Sequence, residues 1–314
     1  MASATWDPGT LPDLTGKVYL VTGANAGLGY FSCEQLVRGG ARVIMSGRSP
    51  NRLSAARAAV RRRVPDAAPD ATESLILDTS NFGSVRSAAA SVRGRGPLDG
   101  LLLNAGIVHP PKTREVTFDG HEMVFATNVL GHFALAGTLL GALGRAQGRM
   151  VWLGSMSTSM WKYDPVDLQL VEGYSGWRAY VQSKVATTAL GFEADRRLRA
   201  AGSPVTSVVA HPGYSVSGRT PGIVGVNEPT RGTRFADNLQ AAVTQSKEHG
   251  AWPLVRALVD PTVEGGDYWG PKAVMRGEPT KQRAAAITRS PEVADRVWRA
   301  SEAATGVHWE FART

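Results

Sequence analysis

Val18-Tyr19-Leu20-Val21-Thr22-Gly23-Ala24-Asn25-Ala26-Gly27-Leu28-Gly29 decides the fold. An apolar run of strand length enters a glycine-punctuated turn, and a helical pattern follows at once. Glycines at such a junction let the backbone turn sharply and lie close to a bound group. The unpaired N–H groups opening the next helix suit a pyrophosphate. A glycine triplet alone marks only a tight turn; the strand before it and the helix after it make this one a nucleotide loop.

Working outward, short β-rich runs alternate with longer alanine-rich helical stretches through the first two thirds of the chain, the pattern of a parallel sheet covered on both faces. Strands are expected at Lys17–Thr22, Ala41–Ser46, Ser74–Asp78, Leu98–Asn104, Arg149–Gly154 and Val205–Ala210. A chain of 314 residues with 43% hydrophobic and 20% charged content fits one large α/β domain over 17–314, preceded by a polar arm over 1–16. Between Gly218 and Gly277, proline and glycine gather around two short helical patterns, Arg234–Lys247 and Ala251–Val259, which predicts a flap over the substrate.

The second strand ends Met45-Ser46-Gly47-Arg48. A carboxylate near this point of a dinucleotide fold holds a ribose 2′-hydroxyl, whereas an arginine can pair with a 2′-phosphate, so Arg48 points to NADP(H) rather than NAD(H). Tyr180 and Lys184 stand four apart in a helical pattern and share a face. A phenol titrates near ~10, and a neighbouring ammonium is expected to bring it toward neutral pH, where it can exchange a proton.

With Ser155 at the end of the fifth strand, Asn128 in an uncharged helix, the strand-end Leu101-Leu102-Leu103-Asn104-Ala105-Gly106 and the later His211-Pro212-Gly213, the chain resembles the short-chain dehydrogenase/reductase family over nearly its whole length. The step of 25 residues from Ser155 to Tyr180, the phrase Ala179-Tyr180-Val181-Gln182-Ser183-Lys184 and the phrase Thr127-Asn128-Val129-Leu130-Gly131-His132-Phe133 look like its retinol-dehydrogenase-like branch. Tyr268-Trp269-Gly270-Pro271 resembles actinobacterial members. The resemblance implies a doubly wound Rossmann fold with a mainly parallel sheet of seven strands. It implies Tyr180 as general acid/base and Lys184 as the group that lowers its pKa and holds the nicotinamide ribose. Ser155 is then the substrate-oxygen ligand and Asn128 the anchor of a proton-relay water. Cofactor contacts are implied at Gly23, Asn25, Gly27, Leu28, Gly29, Asp78, Asn104, Gly106, Pro212, Gly213 and Ser217. Ser217 replaces a frequent threonine and Gly154 the first of a common serine pair, while Ala26 lacks the basic side chain that some NADP-dependent relatives carry in the glycine loop.

The expected reaction interconverts a ketone or aldehyde and an alcohol on a bulky apolar or aromatic, polyketide-like small molecule. Met160, Trp161 and Tyr163, in a loop without helical period, are expected to line its pocket. Rival readings are a carbon–carbon double-bond reductase or epimerase on the same scaffold, and a cofactor-binding scaffold without turnover. Lys+Arg 35 against Asp+Glu 27 leaves +8. Its densest run, Arg57, Arg61, Arg62 and Arg63, lacks interleaved aromatics and reads as a solvated helix face rather than a nucleic-acid site. A single cysteine, Cys33, excludes an intrachain disulfide and suits a reducing cytoplasm. Six scattered histidines are expected on the surface or in loops and predict no metal site. Met123 to Gly144 carries no charge but includes Asn128, His132 and glycines, which favours a buried helix over a membrane span and offers a subunit face for a homodimer or homotetramer.

Overall fold

The structure, a computed structural model, describes residues 6–7, 10–161 and 166–311. Tyr163, expected at the substrate pocket, and part of the N-terminal arm lie outside the described residues. Ten strands form: β1 Val18–Val21, β2 Arg42–Gly47, β3 Thr72–Ile76, β4 Gly100–Leu103, β5 Arg149–Leu153, β6 Thr206–Ala210, β7 Ser215–Val216, β8 Gln245–Ser246, β9 Tyr268–Pro271 and β10 Pro279–Lys281. Eight make one sheet in the order β3-β2-β1-β4-β5-β6-β9-β10, and β7 and β8 pair separately. Neighbours from β3 to β9 run parallel; β10 returns antiparallel at the edge. The count is therefore eight rather than seven, because the short connection after β9 is a hairpin that adds a strand to an otherwise parallel sheet.

The helices are α1 Gly27–Arg38, α2 Pro50–Arg63, α3 Phe82–Arg93, α4 Met123–Phe125, α5 Gly131–Thr138, α6 Leu140–Ala146, α7 Gly176–Ala200, α8 Arg231–Leu239, α9 Lys247–Val259 and α10 Pro291–Thr305. Every residue of β4 is buried, as expected of a strand covered on both faces. On one face α1, α2 and α9 bury Tyr30, Leu53 and Leu254; on the other, α3, α5, α7 and α10 bury Val85, Phe133, Leu190 and Trp298. Helix starts follow local chemistry: Ser49, Ser175 and Ser290 each accept a backbone N–H three residues on, and Pro50 and Pro291 fill first-turn positions that need no donor.

Two expectations change here. The stretch 218–277 is not one flap. Its helix α9 packs along α1 with Ala251, Leu254, Val255 and Leu258 buried, and β9 is a core strand, so only the segment between β7 and α9 lies outside the sheet layers. Nor do α4 to α6 offer a subunit face. Between residues 121 and 140 no side chain is exposed, and Trp298 and Trp309 cover Phe133 from within the chain. Gly137 leaves room for the Trp309 indole, which an added Cβ would strike. No single described helix is long and apolar enough to cross a membrane; α4 to α6 pass that test only as a pair bent by 55°.

Arg149 locks the bottom of the sheet. Its guanidinium donates to the carbonyls of Ala257, Asp260 and Val263, each at 3.0 Å, joining the start of β5 to the end of α9 and the turn into β9. Arg149→Met keeps the stem and leaves three carbonyls without their donor. Urea unfolding should show a loss of about 2–4 kcal/mol; a change under about 0.5 kcal/mol would mean that solvent replaces the guanidinium at no cost.

Candidate active site

Strand order reverses between β1 and β4, so a crevice opens beyond their carboxyl ends. Thr22, which follows β1, organises it: its Oγ1 accepts the N–H groups of Asn104 (2.8 Å) and Ala105 (2.9 Å), and the Asn104 amide donates to the Thr22 carbonyl at 2.7 Å. Gly29 is required there, since a Cβ would stand 2.6 Å from the Asn104 amide nitrogen and collide with the Gly23 carbonyl. The α1 N-terminus is left open: Ala26 offers no capping side chain, and the first turn holds no acid. Leu28 and Gly250 bring α1 and α9 into contact.

At the other end of the crevice Asn25 lies against Gly47, and the Gly47 carbonyl accepts the Leu77 N–H at 3.1 Å, which places Asp78 beside the end of β2. One Asp78 oxygen is held by the N–H (3.0 Å) and O–H (2.7 Å) of Ser80. Arg48 is exposed, with no hydrogen bond or ion pair among the described residues.

Ser155, Tyr180 and Lys184 meet at the carboxyl end of β5. Ser155 caps a short 3-10 turn, and its Oγ accepts the Ser157 N–H (3.2 Å), the Ser157 O–H (2.9 Å) and the Tyr180 O–H (3.4 Å). Three donors share its two lone pairs, the Tyr180 O–H at the longest distance, and its own proton is left for another oxygen. Lys184 is buried, donates to the Leu153 carbonyl at 2.8 Å and lies 6.0 Å from the centre of the Tyr180 ring. The expected lowering of the Tyr180 pKa by Lys184 is not what results. Burial raises the phenol, opposed only by the Ser155 hydrogen bond, and burial lowers Lys184 to about 8. Both groups are desolvated, which disfavours phenolate and ammonium alike.

Asn128 sits in a π-helical turn, Ala126–Leu130, between α4 and α5, the kind of irregularity that gathers at functional sites. Its Oδ1 accepts the Ile107 N–H (2.8 Å), and its Nδ2 donates to the Ile107 carbonyl (3.2 Å) and to Ser183 Oγ (2.9 Å). The side chain is wholly committed to clamping the loop after β4 onto α7. Gly106 gives it space, a Cβ there standing 3.0 Å from Oδ1.

His132 overturns the expectation that the histidines lie on the surface or in loops, being buried in α5; His211 does lie in a loop, after β6, and is buried there. The Asn128 carbonyl can only accept, so His132 Nδ1–H donates to it (3.2 Å), and Nε2 then accepts the Thr22 hydroxyl (3.0 Å). His211 accepts the Gly213 N–H at Nδ1 (3.3 Å), donates from Nε2 to Gln282 (2.9 Å) and stacks on Tyr268 at 5.3 Å. Ser157 and His132 went unrecognised in the sequence, since only folding brings them against Ser155 and Thr22. Pro212, through its carbonyl, is bound by Ser215 and Gln245 at 2.8 Å, and Ser217 is half-buried on the same loop. Met160, Trp161 and Trp177 are exposed, and the Trp177 ring lies 6.1 Å from that of Tyr180. No group of three or more His, Cys, Asp or Glu among the described residues could hold a metal ion.

Comparisons with known proteins agree with this fold. The profile of the short chain dehydrogenase family matches residues 17–221. Polyprenol dehydrogenase of Mus musculus is 36% identical over 82% of this chain and 76% of its own, and retinol dehydrogenase 14 of the same organism 35% over 84% and 79%. A crystal structure of an uncharacterised protein from Mycobacterium paratuberculosis superposes with a TM-score of 0.79, at 31% identity, over 98% of this chain and all of its own.

His132 carries a pH prediction. Burial, aided by the nearby Lys184 charge, holds its pKa at about 3, well below the ordinary 6.5. The unfolded chain therefore takes up a proton that the folded chain refuses between those values. Stability contributed by neutral His132 is full above pH 6.5 and falls by about 1.4 kcal/mol per pH unit as the pH drops toward 3. His132→Gln should flatten the stability profile in this window by about one proton; identical slopes for the two proteins would show that His132 is not the group responsible.

Proposed function

The chain belongs to the short chain dehydrogenase family, whose members use a nicotinamide cofactor, and we propose that it is an NADP(H)-dependent oxidoreductase interconverting an alcohol and a ketone or aldehyde on a bulky apolar molecule. The contact of Ser155, Tyr180 and Lys184 beside the glycine loop carries this reading. The crevice suits such a cofactor: an uncapped helix N-terminus without acids for the pyrophosphate, Asp78 with one oxygen uncommitted for the adenine, and Arg48 unpaired at the end of β2 for a 2′-phosphate. When bound, the cofactor supplies or accepts the hydride.

The protein's part is position and proton. In the direction of reduction, Ser155 gives its free O–H to the substrate carbonyl oxygen and holds it where charge develops. Tyr180, kept protonated by burial, donates its phenolic proton to the same oxygen as it becomes alkoxide. Lys184, lowered to about 8, is poised near the working pH to stabilise the phenolate left behind. Asn128 holds α7, and with it Tyr180 and Lys184, against the loop carrying Gly106 and Ile107. The relatives' names mention retinol and polyprenol, both long apolar alcohols, and the exposed Met160, Trp161 and Trp177 give this site a rim of the same character.

Cofactor turnover over a panel of apolar alcohols, ketones and enones tests the reading: enones consumed at the double bond while ketones are ignored would replace it with double-bond reduction. Tyr180→Phe should lower turnover by about two to four orders of magnitude, with cofactor affinity retained; near-normal turnover would remove Tyr180 from the mechanism. Arg48→Ala should weaken NADPH about tenfold or more and leave NADH unchanged, whereas equal losses would make Arg48 structural.

A further inference from the structure

Lys247 opens α9, yet its side chain reaches across to the glycine loop. With a Cβ built on Gly27, the first residue of α1, Lys247 Cδ would lie 3.5 Å and Nζ 3.9 Å away. Gly27 has φ +56°, so the loop presents a bare backbone at that point and the lysine lies over it. The placement is firmly built: the Lys247 N–H donates to Thr220 Oγ1 at 2.8 Å, Ser246 caps α9 by accepting the His249 N–H at 3.1 Å, and α9 is packed against α1 through Gly250 and Leu28.

Electrostatically this is the wrong place for a cation. The N-terminal turns of helices favour anions, and Lys247 stands in the first turn of its own helix while lying on the first turn of another. Neither α1 nor a capping side chain supplies an acid there. Glu248, next in sequence, is turned to Arg63 at 3.5 Å. Asp237 is the one carboxylate whose charge acts on Lys247, and its Oδ2 already accepts the Gly218 N–H at 2.6 Å; among the described residues Lys247 makes no ion pair. Two helix ends and a half-buried ammonium therefore converge, and among the described residues no carboxylate pairs with that ammonium.

From this juxtaposition we infer that Lys247 is a cofactor-binding residue that pairs with the pyrophosphate. It acts from outside the glycine loop and closes over the side of the phosphates that the backbone N–H groups of α1 leave open. The inference rests on the nicotinamide-cofactor reading and adds to it a contact from α9, a helix distant in sequence from the loop. Because the pyrophosphate is common to both cofactors, Lys247 contributes to affinity without contributing to the choice between NADPH and NADH. That separates its role from the one given to Arg48.

The test is calorimetric titration of the full chain with ADP-ribose, which carries the pyrophosphate and cannot turn over, together with NADPH and NADH. Lys247→Gln should bind all three about tenfold or more weakly, with a shallower dependence on salt and the NADPH to NADH ratio unchanged. Lys247→Arg should recover most of the affinity for ADP-ribose, and Lys247→Glu should bind worse than Lys247→Gln. Thermal unfolding of the free variants shows that each is folded. Unchanged ADP-ribose affinity in Lys247→Gln overturns the inference and leaves the cofactor reading intact. A loss confined to NADPH also overturns it, by moving the contact to the 2′-phosphate. Failure of the unsubstituted protein to bind ADP-ribose or either cofactor overturns both.

Discussion

The end of β1 is the point on which both halves of the site depend. Thr22 must satisfy two backbone N–H groups from the loop after β4 and still have a partner for its own proton, in a place where it is wholly buried. His132 is that partner, and its other nitrogen reaches the π-helical turn at Asn128. Glycine loop, β4 loop and Asn128 are thus one chain of hydrogen bonds in which each buried donor has its acceptor. Burial, aided by the Lys184 charge, keeps the imidazole neutral, and only the neutral ring can accept at Nε2 while donating from Nδ1. The chain continues through Asn128 to Ser183 and so to the turn of α7 that carries Tyr180 and Lys184.

Desolvation, more than charge pairing, sets the protonation of Tyr180 and Lys184. Reading Tyr180 and Lys184 four residues apart predicts an ammonium that pulls the phenol down, and that argument holds where water screens both and burial is slight. Here the lysine is buried and spends its proton on the Leu153 carbonyl. Its remaining influence on the phenol is smaller than the loss of solvent around the ring. Tyr180 is therefore held protonated, the form that the proposed reduction uses.

The first six parallel strands and the loop after β1 were legible because each pairs an apolar run with a turn, with β3 shifted by two residues and β2 by one. The edge beyond β6 was not. β9 contains Trp269-Gly270-Pro271, residues that read as a loop, and Gly270 is there because a Cβ would strike the His211 ring. Gly232, Gly265 and Gly266 likewise read as flap punctuation, although the helix between them, α9, is buried against the core. Spacing could place Ser155, Tyr180 and Lys184, which come together in the structure. It could not place Ser157, His132 or Lys247, whose roles come from contacts through space with no short sequence signature.

The layer outside the sheet follows different physics. The segment after Gly213 is tied to the hairpin of β9 and β10: the Tyr214 N–H donates to the Met275 carbonyl at 2.7 Å, and Gln245 takes the Gly277 N–H at 3.0 Å while donating to Pro212 at 2.8 Å. Helix α8, held by Asp237 and Arg234 to Gly218, buries no residue, and Phe235 and Leu239, one turn apart, are exposed. Polar bonds and the buried Ile223 anchor this layer at its base, while Phe235 and Leu239 of α8 face outward. Helix α8, which buries no residue, is free to vary without disturbing the core. The crevice beneath is fixed by buried hydrogen bonds that tolerate little change.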